Sequence, residues 1–182
     1  MKRLMVIAKI PTRLRKGDLA LRPLRIWDGP FLARMMSQED ILRSCGTEGR
    51  PGTSWFALYR RLRSFFFLSY CIEYASEKVG LAGLYNLQPD KSAEMSLVIS
   101  KASCRRIGLG TKVFRLLADG LEGAPFLERV VVSVRTDNVA AQSFWTKLGF
   151  HEVRCLRDTR QMTLPLRKCA AASADRFPGG KP

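Results

Sequence analysis

The chain has 182 residues, 46% of them hydrophobic, which suits one domain with a sizeable core and excludes a disordered or fibrous composition. No apolar run approaches the ~20 residues that span a bilayer, so no membrane partner is expected. With 31 Lys and Arg against 16 Asp and Glu, the formal charge of +15 favours anionic partners such as a phosphorylated cofactor, RNA, a ribosome or an acidic peptide, and disfavours a free polycation.

Residues 1 to 18 read as a basic lead-in, within a first stretch of 25 residues that carries eight Lys or Arg and one Asp. Its apolar stretch, Leu4 to Ala8, is too short for the ~7–15 residues of a signal-peptide core, and a cytoplasmic protein is expected. A strand is predicted at Leu19 to Leu24, ended by Pro23. Asp28-Gly29-Pro30 starts a helix, Ser37-Gln38-Glu39-Asp40 resembles a capping box, and Ser54 caps a helix from Trp55 to Leu62. The period then becomes two: strands at Phe65 to Tyr74, Val79 to Leu87 and Ala93 to Ser100, the first pair turning at Ser76-Glu77-Lys78. A helix begins near Gly108, with Leu109, Val113, Leu116, Leu117 and Leu121 on one face. Arg129 to Val134 is a buried strand, Asn138 to Leu148 a helix closed by Gly149, and Phe150 to Leu156 and Gln161 to Leu166 are strands. Residues 19 to 166 thus form one mixed α/β domain, and 167 to 182 a tail expected to be poorly ordered.

Cys45, Cys71, Cys104, Cys155 and Cys169 are widely spaced with no CxxC pair, and His151 is the lone histidine, so neither a disulfide framework nor a metal site is expected. Chemistry must come from carboxylates, hydroxyls or the backbone.

The segment CRRIGLGTKV, residues 104 to 113, sits where a strand feeds a helix. A helix N-terminus offers unpaired N–H groups and partial positive charge, Gly108 and Gly110 permit close approach, and Arg105 and Arg106 add charge. Turn punctuation with surface arginines is the alternative. A P-loop would need GxxxxGK[ST], and a Rossmann fingerprint needs a third glycine where Val113 stands.

Arg105-Arg106-Ile107-Gly108-Leu109-Gly110 resembles the acyl-CoA pyrophosphate loop (Q/R-x-x-G-x-G/A) of the GNAT N-acetyltransferases. Asn138-Val139-Ala140-Ala141, then Phe144-Trp145 and Leu148-Gly149-Phe150, is similar to that family's N-x-x-A…Y-x-x-L-G-F segment, and LALRPL and AEMSLVIS resemble its ribosomal-protein N-terminal acetyltransferase (Rim-type) branch. The resemblance implies a mixed, mostly antiparallel sheet splayed into a V. In that V acetyl-CoA, as co-substrate without a metal, would meet Leu97, Val98, Ile99, the loop from Arg105 to Thr111 (Arg105, Arg106, Ile107, Gly108, Leu109, Gly110, Thr111) and Asn138. Asn138 equally reads as a helix cap. The implied activity is acetyl transfer to a primary amine, with a protein N-terminal α-amino group the expected acceptor, by direct attack in a ternary complex with the thioester carbonyl polarised at the Ile99 N–H. The alternative is a catalytically weak acyl-CoA sensor or an RNA- or ribosome-binding module, and the chain is expected as a monomer or homodimer.

Where the family places a glutamate base this chain has Ser133, and where it places a tyrosine acid it has Trp145, whose indole N–H cannot act as an acid near neutral pH. Glu94, on the strand before the loop, is the candidate base, with Glu73 a weaker alternative and Tyr85 a candidate for shaping the acceptor site. A thiol with a pKa near ~8.5 is an acceptable leaving group without full protonation.

Overall fold

The computed structural model describes residues 12–45, 55–122 and 124–166. The first eleven residues, Ser54 and the segment from 167 onward lie outside them, and so do the expectations placed there.

Eight strands form a single sheet: β1 Leu14–Lys16, β2 Leu19–Pro23, β3 Phe66–Tyr74, β4 Glu77–Tyr85, β5 Ser92–Ile99, β6 Arg129–Arg135, β7 His151–Cys155 and β8 Thr159–Pro165. Their order is β1-β2-β3-β4-β5-β6-β8-β7, every pair antiparallel except β5 with β6. Among the described residues, five α-helices flank the sheet: α1 Gly29–Met36, α2 Glu39–Cys45, α3 Trp55–Phe65, α4 Leu109–Leu121 and α5 Val139–Lys147. None of the described helices is long and apolar enough to cross a membrane.

The predicted elements are present, with two local differences. The β3–β4 turn falls at Ala75 and Ser76, both left-handed (φ 49° and 65°), because a two-residue turn of that kind matches the strands' right-handed twist. Glu77 and Lys78 belong to β4 instead. The end of the basic lead-in also forms an edge strand, β1, whose Leu14 packs on the core beneath α4. Three residues with one apolar side chain give no period to read.

Alternation sorts the side chains onto two faces. On one, Val130, Val132, Leu84 and Met95 pack against Leu109, Val113, Phe114 and Leu117 of α4. On the other, Cys71, Leu81 and Phe66 meet Leu32 and Met35 of α1, with Leu58 and Leu62 of α3 alongside. Burial pushes the Cys71 thiol up to about 12, which leaves it inert as a nucleophile.

The α1–α3 layer is fastened to the sheet by buried charge. Asp28, only 1% exposed, precedes α1 and receives both terminal nitrogens of Arg22 from β2 at 2.7 and 2.8 Å. Lys78 of β4 reaches it at 2.8 Å and the Arg25 N–H at 2.8 Å, while Arg22 Nε donates to Glu73 of β3 at 2.6 Å. Burial alone would push the Asp28 carboxyl up, but these donors outweigh it and hold it well below the usual carboxylate range.

A splayed sheet with an anion-facing loop

The sheet opens where β5 leaves β6. Only Ser92, Ala93 and Glu94 pair with Arg129, Val130 and Val131; beyond them β5 continues with β4, and β6 continues with β8. The two halves part just past Glu94, forming the V expected from the resemblance.

Backbone polarity in the V follows from the ladder. Ser100 N–H donates to Val79 O at 2.8 Å, and the register runs unbroken from Gly80↔Ile99 to Tyr85↔Glu94. Antiparallel alternation therefore commits Val98 and Ser96 to β4 and turns the backbone groups of Leu97 and Ile99 into the gap. Val98 points elsewhere, its side chain lying with the α1–α3 cluster. It lines the V only through its neighbours.

The loop between β5 and α4 is anchored at both ends by buried side chains, Cys104 and Leu109. Arg106 (φ 63°) and Gly108 (φ 78°) are both left-handed. Among the described residues, the N–H groups of Arg106, Ile107, Gly108, Leu109, Gly110 and Thr111 have no acceptor; Lys112 is the first to bond back, to Gly108 O at 3.1 Å. A run of unpaired N–H groups entering a helix is a site for phosphate.

Arg105 departs from the expected role. Its Nε donates to Ile99 O at 2.8 Å and one terminal nitrogen to Ser100 O at 3.2 Å, while the other pairs with Asp40 of α2. The guanidinium is spent on closing the end of β5, and it holds the Asp40 carboxyl below its usual range. Arg106 is exposed and forms no ion pair among the described residues, so the loop's free cation is the second arginine.

The two glycines also differ. A Cβ at Gly108 would meet nothing within 4 Å, so its constraint is the left-handed backbone. At Gly110 it would lie 3.1 and 3.2 Å from the Phe144 ring of α5. Gly110→Val is therefore expected to push α4 away from α5, lowering both the melting temperature and acetyl-CoA affinity. Gly108→Ala is expected to cost about 1 kcal/mol of backbone strain. Unfolding curves and calorimetry on both variants check this; equal stability of Gly110→Val and the parent would contradict it.

Trp145 is a packing residue. It is 6% exposed and meets Phe144, Phe150 and Phe114 edge-on, at centroid distances of 4.8, 4.9 and 5.9 Å. The position corresponding to the family's acid thus carries no group that could protonate a leaving thiolate. Asn138 caps α5, its Oδ1 accepting from the Ala141 N–H at 3.0 Å.

Glu94 lies at the apex of the V, the last residue of β5 that pairs with β6. Asn86 Nδ2 donates to Glu94 Oε1 at 2.6 Å, and Ser133 Oγ stands 3.4 Å from Oε2. Asn86 is itself fixed by Gln88 Nε2, 2.5 Å from its Oδ1. Ser133 and Glu94 are thus neighbours across the splay, a juxtaposition that sequence spacing does not reveal. Glu73, by contrast, is engaged by Arg22 and Arg13. Tyr85 is the register partner of Glu94 and stacks on Phe65 of α3 with centroids 4.4 Å apart. Phe65, expected as the first residue of the strand, instead ends α3 and is 55% exposed.

A sheet split between two central strands, with a helix start aimed along the gap, is the architecture of acyl-CoA-dependent acyltransferases. The acetyltransferase (GNAT) domain model matches residues 18–151, and the chain belongs to this family of N-acetyltransferases. Solved structures agree in fold. A spermidine N-acetyltransferase from Vibrio cholerae, bound to CoA and spermine, is similar at TM-score 0.74 and 19% identity, over 85% of this chain and 99% of that one. The aminoglycoside acetyltransferase AAC(6')-Ib in complex with coenzyme A gives 0.73 and 17%, over 86% and 99%. RimL, a ribosomal L7/L12 α-N-protein acetyltransferase in complex with CoA, gives 0.70 and 17%, over 86% and 97%. At these identities the likeness is one of fold. No curated protein sequence matches the chain significantly.

Proposed function

We propose that this chain is an acetyl-CoA-dependent N-acetyltransferase whose acceptor is the α-amino group of a polypeptide. The observation that carries the reading is the run of unpaired N–H groups from Arg106 to Thr111 at the head of α4, beside a V whose walls expose the backbone of Leu97 and Ile99. The loop would hold the pyrophosphate, with Arg106 and Thr111 alongside. Leu97 would align the pantetheine arm, and the Ile99 N–H would polarise the thioester carbonyl. The three similar structures named above, the spermidine, aminoglycoside and RimL enzymes, all have CoA bound, which supports this cofactor.

The acceptor class follows from what the site lacks as much as from what it holds. Glu94 is a single carboxylate, clamped by Asn86 and Ser133, and no acid stands at Trp145. An α-amino group, with a pKa of about 7.7–8.0, is already partly neutral near pH 7.5, whereas a lysine-like amine near ~10.4 is neutral in only about one molecule in a thousand. A weakly assisted site therefore suits the α-amine. Glu94, acting directly or through one water, accepts the ammonium proton. The amine lone pair then forms the C–N bond as the C–S bond breaks, the electron pair leaves on sulfur, and the second amine proton passes to the thiolate directly or through solvent. The acceptors of the similar enzymes include a polyamine, aminoglycosides and a ribosomal protein N-terminus. The net charge of +15 disfavours the first two, which are cations, and the basic surface suits a ribosome or rRNA nearby.

Ser133 and Trp145, standing where relatives carry a base and an acid, favour a second reading as an acyl-CoA sensor or RNA-binding module. Calorimetry with acetyl-CoA, followed by free-CoA release over a panel of N-terminal peptides, spermidine and an aminoglycoside, separates the readings. Expected are saturable acetyl-CoA binding and turnover with peptides alone. Binding without turnover on any amine would support the sensor, and no binding would reject the acetyltransferase and the sensor, leaving the RNA-binding module.

A further inference from the structure

One flank of α3 gathers three arginines on one short stretch of helix, whereas several other surface cations are paired with carboxylates. Elsewhere Lys91 pairs with Glu128, Arg129 with Asp90, Arg135 with Asp137 and Arg160 with Glu152. Arg60, Arg61 and Arg63 are exposed, and among the described residues none of them forms an ion pair. Leu58 and Leu62 turn inward onto the core, so the helical period sets Phe65, Arg61 and Ala57 in one row, about 6 Å apart along the axis. The small side chains of Ala57 and Ser64 leave a shallow concavity flanked by Arg60 and Arg61. The row ends at Phe65, whose ring stacks on Tyr85 beside Glu94.

We infer that the Arg60–Arg61 notch docks acidic side chains lying a few residues downstream of the acceptor's α-amino terminus, so that the enzyme selects polypeptides with an acidic N-terminal segment. The inference rests on the α-amino reading above. One strand spacing, one ring stack and one helical turn put the notch roughly 15 Å from Glu94, the reach of about four or five extended residues. Guanidinium forks bind carboxylates bidentately, and two of them over a gap left by alanine and serine accept one or two such groups. A polypeptide leaving Glu94 would cross the Phe65–Tyr85 pair to arrive there. A nucleic acid would need a longer basic track than one helical flank supplies.

Initial rates with acetyl-CoA and three decapeptides test this. The peptides share their first two residues and carry Glu, Gln or Lys at positions 3 to 6. The parent is expected to show a KM for the Glu peptide roughly five- to tenfold below that for the Gln peptide, with kcat unchanged and the gap narrowing in salt. Arg60→Ala/Arg61→Ala should abolish the gap, and Arg60→Glu/Arg61→Glu should invert it in favour of Lys. Unchanged acetyl-CoA affinity by calorimetry certifies the variants as folded. Equal KM for all three peptides in the parent, or a gap that survives in the variants, overturns the notch while leaving the α-amino reading intact. Competition by a single-stranded RNA that disappears in the double-alanine variant, without any peptide preference, assigns the flank to nucleic acid and also overturns it. If no peptide is acetylated while acetyl-CoA binds, the α-amino reading fails and the docking inference falls with it.

Discussion

Glu94→Gln is expected to lower kcat by roughly 10²–10⁴-fold, the usual contribution of a positioned base, with acetyl-CoA affinity unchanged. Glutamine keeps the shape and can still meet Asn86 and Ser133, so the loss would report proton transfer and not packing. Retention of full activity between pH 6 and 9 would rule Glu94 out. A second variant sharpens the result. Because Ser133 Oγ lies 3.4 Å from the Glu94 carboxylate, the two side chains face the same space from opposite lips of the V. Glu94→Ser/Ser133→Glu moves the carboxylate to the strand on which the resembled family carries it, and should recover a substantial part of the activity that Glu94→Ser alone loses. Failure of the exchange, with acetyl-CoA binding retained, would show that the base must approach from β5.

Asp28→Ala is expected to destabilise the fold by about 3–5 kcal/mol, since it strands the buried Arg22 guanidinium and releases Lys78. The effect depends on pH with a definite sign. Asp28 is depressed in the folded state, so its contribution is fully present above the unfolded value of about 4 and is lost as pH falls through the folded value. Parent and Asp28→Asn should therefore differ most at neutral pH and converge as the solution is acidified below about 4. Urea unfolding between pH 3 and 7 reads the difference directly. A gap that persists unchanged at pH 3 would mean that the carboxylate's charge is not what the network uses.

Much of the fold was legible because its elements are long and strongly periodic. The meander from Phe66 to Ile99 and the helix from Leu109 bury one face each, and burial writes its period into the sequence. What escaped was short or long-range. β1 is three residues at an edge, stabilised by Leu14 packing that no local pattern encodes. Charge next to glycine suggests a phosphate ligand at Arg105, but its guanidinium is held by Ile99 O, Ser100 O and Asp40, contacts that no local pattern encodes. Val98 looked like a wall of the V, but strand parity counts side chains and not hydrogen-bond direction, and the ladder turns it toward β4. The Glu94–Ser133 juxtaposition required the β5–β6 pairing, which joins residues 39 apart in the chain.

The approach of Gly110 to the Phe144 ring has a consequence for how such chains can diverge. The cofactor loop and the segment around Trp145 look like two separate signatures, each free to drift. They meet at one contact, since a Cβ at 110 fits only if the Phe144 ring gives by a few tenths of an ångström. Side chains larger than alanine at 110 should therefore come with a change at 144, whatever amine the chain serves.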